Sequence, residues 1–209
     1  KSMDYSTETK IYAKKAQAFV NIMKGCDKFC SYCVVPLTRG REKSRSLAEV
    51  VSDIGRLTGL GVKEVTLLGQ NVNSYGKGRF PALLRAIDGD PRCSPLKRIR
   101  FTSSHPLDFG EELIQCFNTL ENGGVSRLAS HLHLPVQSGS DSVLQQMGRH
   151  HDIGSFTAKI DRLRNVCPEV GLSTDIIVGF PSETIKDFEA TIALLDRIEF
   201  DNIFAFAYS

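Results

Sequence analysis

Short apolar runs alternate along the chain with longer segments whose apolar positions recur at helical spacing. Residues 19–23 form one such run and predict a strand, while 47–60 predict a helix behind Ser46, a residue suited to cap a helix N-terminus. Further strands are predicted at 63–68, 98–102, 131–136, 172–178 and 202–207, with helical segments at 81–87, 111–120, 142–147, 155–166 and 183–198. Six β/α repeats in series, with no low-complexity linker, predict an α/β fold with a parallel sheet and right-handed crossovers. Six repeats rather than eight make this an incomplete (β/α)6 TIM-type barrel with an open side. Functional loops in such a sheet follow the carboxyl ends of the strands. The polar clusters fall there, at 69–76, 103–106, 137–141 and 179–183, facing the loop after the first strand.

That first loop carries Cys26, Cys30 and Cys33, spaced Cys-x3-Cys-x2-Cys, with Tyr32 immediately before the last. A [4Fe-4S] cluster needs a ligand on each of four irons, and three thiolates leave one iron open to a substrate or cofactor. A structural zinc site is the alternative, but it needs a fourth ligand; no histidine lies near the triad and His105 is far downstream. A disulfide framework would need denser cysteines than six in 209 residues. The remaining three, Cys93, Cys116 and Cys167, are isolated and receive no role.

Composition bounds these readings without choosing among them. The 209 residues are 41% hydrophobic and 24% charged, enough for one globular unit, and no apolar run is long enough to span a bilayer. An oxygen-sensitive cluster and free thiols fit a reducing cytoplasm. The net charge of +2 does not point to nucleic acid, but Arg39, Arg41, Lys43 and Arg45 crowd the stretch after the cysteines, and Arg92, Lys97, Arg98 and Arg100 form a second group. Either group could meet phosphates or be a solvated surface. His131 and His133 share one side of their strand and are expected to fill a polar barrel interior, while His150 and His151 read as surface residues. Asp175, inside an apolar strand, calls for an interior polar partner. Phe206 and Tyr208 either line a pocket or pack the core.

The segment Cys26-Asp-Lys-Phe-Cys30-Ser-Tyr32-Cys33 resembles the Cys-x3-Cys-x-aromatic-Cys signature of the radical S-adenosylmethionine enzymes, whose usual core is this partial barrel. Longer stretches resemble the methylthiotransferases that act on tRNA: Cys30-Ser-Tyr-Cys-Val-Val-Pro36, Arg39-Gly-Arg-Glu42, Thr66-Leu-Leu-Gly-Gln70-Asn71-Val-Asn73-Ser-Tyr75-Gly76, His133-Leu-Pro-Val-Gln137-Ser-Gly-Ser140, Asp175-Ile-Ile-Val-Gly-Phe-Pro-Ser-Glu183 and Phe204-Ala-Phe-Ala-Tyr208-Ser209. The Gly69–Gly76 stretch is similar to the branch acting on N6-isopentenyladenosine beside the anticodon; the branches acting on threonylcarbamoyladenosine or on a ribosomal protein differ there.

The resemblance implies a [4Fe-4S] cluster on Cys26, Cys30 and Cys33, with S-adenosylmethionine on the open iron and Tyr32 near its adenine. It places Gln70, Asn71 and Asn73 near the amino end of that cofactor and Ser138 and Ser140 near its ribose or carboxylate; turn chemistry is the alternative for all five. Asp175 and Tyr208 join this cofactor group as candidates. Arg39 and Arg41 would hold methionine or RNA, or else pair with a carboxylate such as Glu42. The implied partners are a tRNA anticodon loop and a reducing electron-transfer protein, with no membrane. The family also carries an auxiliary iron-sulfur cluster in an amino-terminal domain and an RNA-binding carboxy-terminal domain. The expectation is therefore that residues 1–209 are the central catalytic domain, with 1–16 a polar leader from a preceding domain. A zinc-bearing RNA-binding module and an electron-transfer module remain as other classes.

Overall fold

A computed structural model describes residues 16–118 and 123–209. Most of the expected leader, and the end of the helix expected to reach Leu120, lie outside the described residues. The strands are β1 (Gln17–Asn21), β2 (Met23–Lys24), β3 (Lys43–Ser44), β4 (Glu64–Leu68), β5 (Arg98–Phe101), β6 (His131–His133), β7 (Gly171–Val178) and β8 (Asn202–Ala207). The helices are α1 (Val35–Arg39), α2 (Leu47–Gly59), α3 (Tyr75–Gly78), α4 (Phe80–Gly89), α5 (Glu111–Cys116), α6 (Asp141–Gln146), α7 (Ile153–Val166) and α8 (Ile185–Ile198).

Two parallel three-stranded sheets, β1-β4-β5 and β6-β7-β8, are joined edge to edge. Ile99 of β5 bridges to Leu128, just before β6, through Ile99 N–H to Arg127 O at 2.7 Å and Ala129 N–H to Ile99 O at 2.9 Å. The combined order β1-β4-β5-β6-β7-β8 is the expected partial barrel, and its edges are β1 and β8. Alternate residues separate the two faces. Val20, Val65, Leu67, Ile99, Leu132, Leu172 and Ile176 are buried in one apolar cluster with residues of α2, α4, α5, α7 and α8. The opposite face is polar: Glu64 pairs with Arg98 at 2.9 Å and Arg100 at 3.3 Å, and Ser173 Oγ meets His133 Nδ1 at 2.9 Å. The basic group at 92–100 is thus largely spoken for, with Arg92 also paired to Asp90.

Helix starts follow side-chain chemistry. Ser46 accepts from Glu49 N–H while the Glu49 carboxylate accepts from Ser46 N–H, a reciprocal cap that opens α2 where the sequence places it. Thr184 and Asp187 repeat the device, so α8 starts at Ile185 rather than Glu183.

Two strands differ from expectation. The run 19–23 divides, because Ile22 N–H still bonds Leu68 O on the barrel while Met23 and Lys24 turn away to pair antiparallel with Ser44 and Lys43. The excursion 25–42, with all three motif cysteines, is thereby pinched off at its base. The strand expected over 131–136 ends at His133. Pro135 has no N–H to donate, Val136 N–H turns to Thr174 Oγ1, and the ladder resumes only at Gln137, bridged to Ile176.

Candidate active site at the barrel mouth

Among the described residues, segments that follow β4, β5, β6 and β7 reach the cysteine excursion. From the loop after β4, the Gln70 side-chain oxygen accepts from Gly25 N–H at 2.6 Å. After β5, Asp108 pairs with Lys28 at 2.9 Å and accepts from Asn71 Nδ2 at 2.7 Å. At the end of α6, Met147 O accepts from Ser31 N–H and Gln146 O from the Ser31 hydroxyl, each at 3.0 Å. Gly148 lies close beneath, where an added Cβ would stand 3.3 Å from Phe29 O at a φ of +67°. After β7, Phe180 packs with Val143 and Met147 against Tyr32.

Within the excursion, Cys26 and Cys30 are buried and Cys33 half-buried, and all are free thiols. Burial pushes the Cys26 thiol above its ordinary range, and the nearby Cys30 and Cys33 push it further. Lys28 N–H points at Cys26 Sγ at 3.4 Å, and Cys33 N–H closes a turn to Cys30 O at 3.0 Å. Among the described residues no three His, Cys, Asp or Glu side chains converge on a single-ion point. A four-iron cluster instead bonds each thiolate to a different iron. Three neighbouring thiols on a loop braced from four sides fit that group. Cys93 and Cys116 are buried elsewhere, with Sγ directed to Val51 O and Glu112 O.

The other candidates divide by what their polar atoms already hold. Asn73 uses both amide atoms on the His105 backbone, at 2.9 Å each way, and so braces the loop after β5. Asn71 is different: its Oδ1 is buried and without a partner, an acceptor available to a ligand. Ser138 Oγ lies 3.4 Å from Thr191 Oγ1 and accepts from Ser140 N–H, while the Ser140 hydroxyl bonds Asp187 at 2.5 Å. Both serines therefore tie their loop to α8. Asp175 has its interior partner in His133, at 3.4 Å. Tyr208 meets Phe180 edge-on, with ring centroids 5.2 Å apart, so Phe180 joins Tyr32 and Tyr208 in one aromatic group. Burial raises the Tyr32 phenol above its usual range, and it stays protonated.

Arg41 is exposed, pairs with Asp27 at 3.0 Å rather than with Glu42, and lies 5.3 Å over the Phe29 ring. Glu42 instead turns inward to accept from Ser74 at 2.5 Å, and burial raises its carboxyl. Arg39 ends α1 on the exposed side. Arg45 serves the scaffold, bonded to Asp53 at 2.7 Å and to Asn21 O at 3.1 Å.

Two residues escaped the sequence reading. His151, expected at the surface, turns its ring inward, with centroids 5.9 Å from His105 and 6.2 Å from Phe156. Burial lowers the His105 imidazole to about 2 and the His151 imidazole to about 4, so both are neutral. Arg149 is buried against Cys30 and Tyr32. Its only signal was a basic residue directly after Met147-Gly148, at the end of a helix that faces the mouth.

The sequence pattern of the Radical SAM superfamily matches residues 20–195. The tRNA-2-methylthio-N(6)-dimethylallyladenosine synthase of Syntrophobacter fumaroxidans is 49% identical over 197 residues, covering 92% of this chain and 41% of that protein. The protein of the same name from Acinetobacter baylyi is 47% identical over 213 residues, covering 99% and 42%. The chain thus spans about two fifths of the length of these curated relatives. Among solved structures, the radical S-adenosylmethionine methyltransferase TsrM from Kitasatospora setae, with tryptophan and a cofactor analogue bound, superposes with a TM-score of 0.72 at 18% identity, over 90% of this chain and 35% of that one. SuiB from Streptococcus suis, bound to its precursor peptide SuiA, gives 0.62 at 13%, over 95% and 40%. These two share the fold. The three-cysteine excursion, the partial barrel whose loops hold it, and a match running through both place this chain in the radical SAM superfamily.

Proposed function

We propose that these residues are the radical-generating core of a tRNA methylthiotransferase that adds a methylthio group to C2 of N6-isopentenyladenosine beside the anticodon. The observation that carries this reading is identity of nearly one half, across almost the whole chain, with proteins named for that product. When bound, the [4Fe-4S] cluster supplies one electron to the sulfonium of S-adenosylmethionine.

Cys26, Cys30 and Cys33 would hold three irons, on a loop kept in place by Gln70, Asp108 and the end of α6. The open Asn71 Oδ1 suits the cofactor's amino group, and the aromatic group of Tyr32, Phe180 and Tyr208 suits its adenine. Gln70, Asn73, Ser138 and Ser140 act in this reading by holding the loops that form the pocket, and Asp175 by fixing His133 on the inner face. Arg39 and Arg41, exposed beside the mouth, would meet RNA phosphates. The target base must leave the anticodon-loop stack to reach the mouth, as base-modifying enzymes require.

Residues 1–209 then act as the central catalytic domain, and the auxiliary cluster and further RNA contacts come from outside them. A reducing electron-transfer protein and a cytoplasmic setting complete the reading. Among the described residues no helix is long and apolar enough to cross a membrane.

The test is an anticodon stem-loop carrying N6-isopentenyladenosine with deuterium at C2, given to the reconstituted, reduced chain. Deuterium in the released 5′-deoxyadenosine supports the reading. Unlabelled product with this loop, together with label transfer from a threonylcarbamoyladenosine loop or a ribosomal peptide, would reassign the substrate.

A further inference from the structure

Arg149 is a buried cation with no carboxylate to balance it. Its residue is 4% exposed, and among the described residues no carboxylate lies within ion-pair distance of it. A guanidinium cannot shed its charge to escape this cost, and a buried charge calls for a counter-charge. Neighbouring His105 and His151 can supply none, because an imidazole is either neutral or cationic.

The fork points at the cysteine excursion. One terminal nitrogen lies 3.8 Å from Cys30 Sγ and 3.4 Å from the Tyr32 hydroxyl, and the other donates to Pro135 O at the bulge after β6. Nε is buried without a partner. A single side chain therefore spans the second motif cysteine, the motif aromatic and the strand end that carries the 137–141 loop. As a metal ligand the sulfur is a thiolate and carries negative charge. The missing counter-charge thus arrives with the metal.

We propose that Arg149 is a positioning residue for the cluster: it is the built-in counter-charge of the Cys30 thiolate and the clamp that sets Cys30 and Tyr32 relative to the end of β6. This rests on the reading that Cys26, Cys30 and Cys33 hold a [4Fe-4S] cluster. Hydrogen bonds to ligand sulfur and local net charge set the potential of such clusters, and a fixed cation favours the more negative, reduced state. Outer-shell partners of this kind typically change metal affinity ~10–100-fold.

The experiment compares the parent chain, Arg149→Gln and Arg149→Lys after anaerobic reconstitution, reading the midpoint potential by redox titration and the rate at which a chelator strips iron. In the metal-free chains, amide exchange over 30–33 is read as well. Arg149→Gln removes the charge: its potential moves negative and iron is stripped at least ~10-fold faster. Arg149→Lys keeps the charge but not the fork: its potential stays near the parent's, while 30–33 exchange faster in the metal-free chain. A folded Arg149→Gln chain with the parent's potential and stripping rate overturns the proposal. If that variant does not fold, Arg149→Lys decides alone, and a potential displaced from the parent's overturns it. A parent chain that takes up no iron fails the cluster reading itself, a distinct result.

Discussion

The side-chain oxygen of Gln70 accepts a hydrogen bond from Gly25 N–H at 2.6 Å, tying the loop after β4 to the first residue of the cysteine excursion. Gly25 has a φ of +75°, and a Cβ there would lie 2.2 Å from Arg41 O, so only glycine lets the two ends of the excursion meet this closely. Gln70→Ala leaves a buried N–H unpaired and is expected to cost ~1–3 kcal/mol of stability. Gln70→Glu keeps an acceptor and should recover most of it. Calorimetric melting of the metal-free chains checks both, and equal Tm values for Ala and Glu would separate Gln70 from this role.

Gly139 joins the loop after β6 to α8. A Cβ there would stand 2.5 Å from Ala190 O and 2.5 Å from the Thr191 Cα, both backbone atoms that cannot swing aside. Gly139→Ala is expected to destabilise the chain by ~1–3 kcal/mol through overpacking. It should also loosen the Ser138–Thr191 and Ser140–Asp187 contacts, visible as faster amide exchange over 138–140. A melting curve matching the parent's would contradict the close approach.

Stability should fall on mild acidification. His105 and His151 are held neutral by burial, at about 2 and about 4, whereas an unfolded chain protonates its histidines near their ordinary value of about 6.5. Below that value the unfolded state binds more protons, so this contribution is present above about 6.5 and is lost as pH falls toward the folded values. The slope approaches ~1.4 kcal/mol per pH unit for His105 and less for the more open His151. Denaturant titrations between pH 7.5 and 5 should show it, with a shallower slope for His105→Gln. The same slope in parent and variant would contradict the assignment.

The carboxylate of Asp187 adds a separate acid limb. It accepts from Ser140, Ser142 and Thr184, which hold it below the usual carboxylate range. Its contribution is present above the unfolded value and lost as pH falls through the more acidic folded one. Asp187→Asn should flatten the loss below about pH 4 and leave the histidine region unchanged.

Periodicity and caps made the barrel legible. Apolar spacing located all six barrel strands, and Ser46 marked the start of α2 to the residue, because local propensity, burial and capping agree there. The split at Ile22 and the early end of β6 were not legible as strand boundaries. In the first case an apolar run serves two sheets; in the second a proline removes one donor within a strand-like stretch. The cysteines were legible because their chemistry dictates their spacing. Asn71 and Asn73 look equivalent in sequence, yet only the fold shows that Asn73 is fully engaged and Asn71 keeps a free acceptor. Arg149 and His151 follow a short helix as two of four polar residues, and nothing local tells which of them turns inward.

The central claim is that Cys26, Cys30 and Cys33 hold a four-iron cluster with one iron open to S-adenosylmethionine. Anaerobic reconstitution, followed by iron and sulfide counts and electron paramagnetic resonance of the reduced chain with and without S-adenosylmethionine, tests it most directly. The account predicts about four irons per chain and a spectrum that changes when the cofactor is added. Bound zinc in place of iron, or a spectrum indifferent to S-adenosylmethionine, would contradict it.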